Sequence, residues 1–104
     1  MTLQEFEAAL KAVCPETYEL AAPKGLTRYV VWHRYGKQSS FADDCNAVDL
    51  PKVQIDIVSN VADDPLVDGI CGSLWLACLP YSVQSEGYDP DYNAYRTILQ
   101  LVVI

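Results

Sequence analysis

Positive charge is scarce in this chain of 104 residues, where seven Lys and Arg stand against fourteen Asp and Glu, a formal charge of -7. Such a balance repels phosphate backbones instead of releasing counterions from them, so specific nucleic-acid binding is not expected. Histidine is scarcer still. The single one, His33, lies in an aromatic stretch, and a catalytic dyad would need Cys14, Cys45, Cys71 or Cys78 to reach it across the fold. Close cysteine pairs are absent. Cys71 and Cys78 are seven positions apart on an expected helix, roughly 10 Å along its axis, too far to bridge or to share a metal. The thiols read as free and buried, with only Cys45 in a polar segment where it could react.

Long apolar runs are missing as well: none approaches the ~20 residues of a membrane span. Met1 to Cys14 is amphipathic and acidic, unlike a basic-then-apolar leader, so an intracellular protein without membrane attachment is expected. The few glycines form no phosphate cradle, because Gly69 and Gly72 fall within the second expected helix, not in a loop before it. The carboxylates sit in turn-like stretches and at a helix start, with no Asp-x-Asp-x-Asp-Gly ladder for calcium. No cofactor, no metal and no catalytic residue is therefore expected.

What the chain does have is patterning. Thr2 with Glu5 makes a capping box, and Leu3, Phe6, Leu10, Val13 and Cys14 recur at helical spacing until Pro15, which predicts a helix over Leu3–Cys14. Tyr18–Ala22 reads as a short strand and Arg28–Gly36 as a longer one, dense in β-branched and aromatic residues. Lys37–Pro51 is polar, acidic and aperiodic, the expected mobile loop. Val53, Ile55 and Ile57 then alternate with Gln54, Asp56 and Val58 as a half-buried strand.

Asp63 and Asp64 offer an N-cap, with Pro65 at the first helical position. The helix predicted from there to Leu79 carries Leu66, Ile70, Leu74 and Cys78 in one stripe and Val67, Cys71 and Trp75 beside it. Being apolar around much of its girth, it reads as the central helix. Its small residues Gly69, Gly72 and Ser73 suit close approach to a sheet or a neighbouring subunit. Tyr81–Gly87 and Tyr95–Ile104 read as a hairpin closed by the loop Tyr88–Asn93. The second strand of that hairpin is apolar on both faces, so it belongs in the middle of the sheet or under another chain. The sum is one α+β domain over residues 1–104, an antiparallel sheet with two helices packed on one face.

Seven tyrosines and two tryptophans are a load of rings that interfaces favour. Tyr88, Tyr92 and Tyr95, gathered around one loop, are the expected partner contacts. In element order, and in the stretches Tyr29-Val30-Val31-Trp32, Val53 to Leu79, Tyr88-Asp89-Pro90-Asp91 and Tyr95 to Leu101, the chain resembles the small tail-terminator, or tail-completion, proteins of long-tailed bacteriophages and prophages.

That resemblance implies a non-enzymatic wedge that joins copies of itself into a ring, a hexamer in the family. The ring would cap the tail tube, stop its growth and present a surface to the head. Its partners would be tail-tube and head-completion proteins, and its place the host cytoplasm during assembly and then the virion tail. It also implies contacts through the two loops, by Phe41, Asp43, Asp44 and Asp49 in one and by Tyr88, Asp89, Asp91, Tyr92 and Tyr95 in the other. The rivals are an acidic adaptor or immunity-type protein that covers a basic surface, a related head-tail connector component, and a thiol enzyme built on Cys45 and His33.

Overall fold

The computed structural model describes residues 2–42 and 46–103, with side chains described for 2–37 and 50–103. Helix α1 spans Leu3–Val13 and starts as its capping box dictates. The Glu5 amide donates to Thr2 Oγ1, and the Thr2 amide donates to Glu5 Oε1, both at 3.1 Å. The α1 ladder ends where Cys14 N–H donates to the Leu10 carbonyl, one residue before Pro15.

Five strands follow this helix or flank its partner: β1 at Thr17–Glu19, β2 at Arg28–Ala42, β3 at Asn46–Ser59, β4 at Tyr81–Asp89 and β5 at Ala94–Val102. They form one sheet in the order β1-β2-β3-β5-β4, antiparallel except for the parallel β1–β2 pair. Helix α2, Pro65–Leu76, joins β3 to β4. The protein is thus an α+β fold with two helices on a mostly antiparallel sheet. The doubly apolar β5 lies between β3 and β4, where neither of its edges is free.

Alternation decides which face the helices cover. Val30 and Trp32 of β2, Val53, Ile55 and Ile57 of β3, and Leu99 and Leu101 of β5 are all buried and point one way. Phe6 and Leu10 of α1 and Leu66, Ile70 and Leu74 of α2 close over them in one core cluster. The Phe6 ring meets Trp32 edge-on at 5.6 Å, and Trp32 Nε1 donates to Glu7 Oε2 at 3.1 Å, which satisfies the buried indole. Leu10 and Ile70 have no exposed surface, so truncating either to Ala costs about 2–5 kcal/mol.

Asp64 ties the helix start to the sheet. Its Oδ1 accepts the Leu66 amide at 2.8 Å as the N-cap, while Arg28 Nε and Nη2 donate to its two oxygens at 2.8 and 2.9 Å. Ser59 Oγ donates to Oδ2 at 2.5 Å. Those donors, Arg28 foremost, hold the Asp64 carboxyl well below its ordinary range against the opposing effect of burial.

The stretch expected as a loop is instead the distal part of a long hairpin. Register runs without interruption from Gly36↔Lys52 to Ala42↔Asn46, so Lys37–Pro51 begins and ends in paired strand. A strand of 14 residues at ~3.3 Å per residue covers roughly 46 Å, close to the 49 Å long axis of a molecule only 25 × 22 Å across. The distal part of the β2–β3 pair, beyond Gly36↔Lys52, is therefore an arm that extends from the body. Alternation, the sequence signal for strands, arises only where one face is buried.

Candidate functional site

With no cofactor fingerprint in the chain, the surfaces that could act are those exposing apolar or aromatic groups. At the closed end of the β4–β5 hairpin the structure gathers five of the expected residues. Tyr88 and Tyr95 face each other across the ladder with rings 5.4 Å apart at 72°, and Tyr88 Oη donates to Asn93 Oδ1 at 2.5 Å. Asp89 Oδ1 accepts the Asp91 amide at 3.0 Å, and its Oδ2 accepts Arg96 Nη1 at 3.3 Å. The Arg96 guanidinium also donates to Asp56 Oδ2 at 2.7 Å and lies 4.5 Å from the Tyr92 ring centroid. Most of these polar groups are engaged with one another, Arg96 Nε being buried without a partner among the described residues, so the cluster holds its own turn in shape. Its three rings stay 39–54 % exposed, which leaves their apolar surface available.

Phe41 and Asp49 lie on the arm, at the register positions Phe41↔Ala47 and Ser39↔Asp49. Asp43 and Asp44 fall outside the described residues, as does Cys45. The structure thus does not bring the two expected contact groups together. Arm and tyrosine turn lie at opposite ends of the sheet, because β3 and β5 run from one to the other.

Sequence reasoning missed the most exposed large apolar side chains among the described residues. Trp75 and Leu76, at the C-terminus of α2, are 80 % and 84 % exposed, although this helix was expected to be central. The inward stripe is Leu66, Ile70 and Leu74 alone. Stepping about 100° per residue turns both Trp75 and Leu76 away from that stripe, on opposite sides of the helix. Spacing was therefore a usable signal, masked by a helix apolar nearly all round. Trp75 continues into Pro80 and Tyr81 as an apolar ledge. Gly72, one turn before Leu76, is also exposed, which leaves this side of the helix low and open.

At the other end of α2 a cleft of about 320 Å³ is lined by the buried Ile57, Ser59 and Thr97 and by the more exposed Val61, Tyr95, Asp63, Asp68 and Glu86. Asp64 also faces it, but that carboxylate is consumed by Arg28, Ser59 and the Leu66 amide. Among the described residues no group of three or more His, Cys, Asp or Glu side chains is placed to hold a metal ion, and no helix is long and apolar enough to cross a membrane.

His33 alternates with Trp32 and so lies on the face opposite the helices, in register with Gln54. Cys14 is buried in the core and Cys71 packs against it from the helix side, so the sheet stands between both thiols and the imidazole. Cys78 follows α2 on that same helix side. No protein-family model matches the chain, and no curated protein matches it in sequence.

Proposed function

We propose that this chain is a non-enzymatic assembly protein of the tail-terminator kind, a wedge that packs against copies of itself in a ring and caps a phage tail tube at the head-proximal end. The observation that carries this reading is the arm. Beyond the Lys52↔Val102 rung, where β5 stops, the β2–β3 hairpin continues through the pairs Lys37↔Pro51 to Ala42↔Asn46 and draws the molecule out to 49 Å. Such an extension suits reaching a neighbouring subunit or the tube wall.

Two further features support it. Trp75, Leu76 and the tyrosine turn put large rings on the surface at opposite ends of the body, as a building block with two unlike contact faces requires. The net charge of -7 suits a channel wall past which a genome slides without adhering. By family resemblance the ring is a hexamer, joined on one side to the tube and on the other to head-completion proteins.

The test is co-expression with the tail-tube protein encoded in the same genome, followed by negative-stain microscopy and native mass spectrometry. Rings, or tubes closed at one end by the chain, are the expected result. Tubes that grow to uncontrolled length with the chain left in the supernatant would overturn it.

A further inference from the structure

Among the described residues the sheet ends on two unpaired edges. At one, β4 has a neighbour only in β5; at the other, β1 covers β2 at Val30–Trp32 and no strand lies outside β2 from His33 on. Alternation decides which backbone groups these edges offer, since each strand residue turns its N–H and C=O to the side opposite its neighbour's. Val103 N–H donates to the Pro51 carbonyl, so the odd-numbered residues of β3 and β5 bond each other and the even-numbered ones bond β2 and β4. Gly36 and Gln38 of β2, and Ser82, Ser85 and Gly87 of β4, are thereby turned into the sheet. Arg34 and Ser39 on one edge, and Tyr81 and Glu86 on the other, are turned out of it. The Val30 amide, which donates outward to the Glu16 carbonyl, keeps the same phase.

We propose that β4 of one copy adds to the free edge of β2 of a second copy, antiparallel, with Glu86 opposite Arg34 and Tyr81 opposite Ser39. Spacing sets this register. The steps from Tyr81 to Glu86 and from Arg34 to Ser39 are equal, and each contains one bulge, at Val83/Ser85 and at Arg34/Gly36, so bonding groups meet in phase on both sides of the irregularity. Glu86 and Arg34 are cross-strand from the buried Thr97 and Val53, which puts both exposed side chains on the helix side of the sheet, with opposite charges facing. The pairing stops at Gly87 with His33, because the Trp32 carbonyl already accepts the Leu20 amide.

Within one copy Tyr81 lies level with Arg34, through Leu101 and Val53. In the contact it lies level with Ser39, so each copy is displaced by that step, roughly 15 Å along the strands. A sheet that closes into a barrel needs such a stagger. The arm supplies it, and the helices stay on one face throughout. Joining unlike edges, the contact repeats from copy to copy. A two-fold pairing of β4 with itself would instead set Glu86 against Val83, end at a dimer and leave β2 unused. The inference rests on the reading of the chain as a self-assembling block and adds which edges meet.

Charge reversal tests the register. Arg34 and Glu86 are exposed, so Arg34→Glu and Glu86→Arg are expected to leave circular dichroism and the thermal midpoint near wild type. Sedimentation velocity and native mass spectrometry on the isolated chain are expected to show wild-type association, weakened about threefold or more by either reversal and restored when the two are combined. Proline tests the edges. Ser39→Pro and Glu86→Pro each remove an amide that their own sheet does not use, and each is expected to weaken association about tenfold or more. Mixed, they are expected to give a 1:1 heterodimer and nothing larger, since one intact β4 then meets one intact β2; should Glu86→Pro misfold, Glu86→Arg takes its place.

A wild type monomeric up to millimolar concentration would overturn the proposal. So would Arg34→Glu and Ser39→Pro variants that associate like wild type, the result that two-fold pairing of β4 requires. Failure to cap tubes while the heterodimer forms would sink the terminator reading and leave this contact standing.

Discussion

Gly69 of α2 lies directly against Val13 of α1: a Cβ built on Gly69 would stand 2.9 Å from Val13 Cγ1. Val13 is β-branched and half-buried against the core, so its methyl cannot swing away without leaving its one favoured helical rotamer. Gly69→Ala is therefore expected to destabilise by about 1 kcal/mol, because overpacking of ~1–3 kcal/mol outweighs a helix-propensity gain of ~1 kcal/mol. In a Val13→Ala background the same substitution should turn stabilising by roughly that propensity gain. Gly72→Ala should stabilise the isolated chain by about 0.5–1 kcal/mol, since nothing lies within 4 Å of the added methyl. Denaturant midpoints of the five proteins, wild type included, decide all of this.

Cys78 stands where glycine is the usual choice. It has φ +57°, its amide donates to the Trp75 carbonyl at 3.0 Å, and the Leu79 amide reaches back to the Leu74 carbonyl at 2.9 Å. That bond pair is the Schellman ending of a helix, and the buried Leu74 and Leu79 supply the apolar contact that accompanies it. A side chain in the left-handed region costs roughly 1–2 kcal/mol. Cys78→Gly is expected to raise stability by about 1 kcal/mol without moving α2, read from the thermal midpoint and an unchanged far-ultraviolet spectrum. A loss of stability would show that the exposed thiol makes a contact worth more than the strain.

Legibility followed burial. The capping box of α1, the Asp64–Pro65 start of α2, the alternation of Val53 to Ile57 and the central place of β5 were all readable, since each depends on local capping or on a face turned to the core. The arm was not. A hairpin outside the body needs only backbone pairing, and any polar sequence without proline at a bonded position can supply that. Pro51 sits in the middle of β3, paired with Lys37, and with the acidic stretch before it pointed to a loop. The strand β1 was displaced by one residue at its start and cut to Thr17–Glu19, a three-residue parallel pairing too short for any periodicity to announce. Of the expected contact residues, the tyrosine turn came together as read. The Trp75–Leu76 ledge escaped because burial had been assigned to the whole girth of the helix.

Acid should weaken the Asp64 clamp in a defined direction. The carboxyl is depressed in the folded protein, by Arg28 first and then by Ser59 and the Leu66 amide. A depressed carboxyl contributes stability that is fully present above its unfolded value near ~4 and is lost as pH falls from there toward the folded value. Asn caps a helix as well as Asp does, so Asp64→Asn keeps the cap, removes the charge and replaces the oxygen that accepts Arg28 Nε and Ser59 Oγ by an NH2 donor. The substitution is expected to cost about 1–3 kcal/mol at pH 7, and the gap between variant and wild type should shrink as pH drops below ~4. A gap that stayed constant from pH 7 to pH 2 would mean the carboxylate charge is not what holds Arg28.

Removing the arm separates folding from assembly. Gly36 and Lys52 face each other on one rung, so residues 37–51 can be replaced by an Asn-Gly turn, which suits a two-residue hairpin closure. Among the described residues the core cluster lies outside the removed stretch, in residues 6–32 and 53–103. The shortened chain is expected to unfold cooperatively, with a thermal midpoint within about 5 °C of wild type, because the loop-length change itself is worth only ~1–2 kcal/mol. Its denaturant slope should fall little, since a bare ladder exposes far less surface on unfolding than a core does. Capping of tail tubes, by contrast, should be lost. If the shortened chain collapses, the arm is part of the folding unit and not an extension of it; if it folds and still caps tubes, contact is made elsewhere, and the tyrosine turn becomes the surface to mutate.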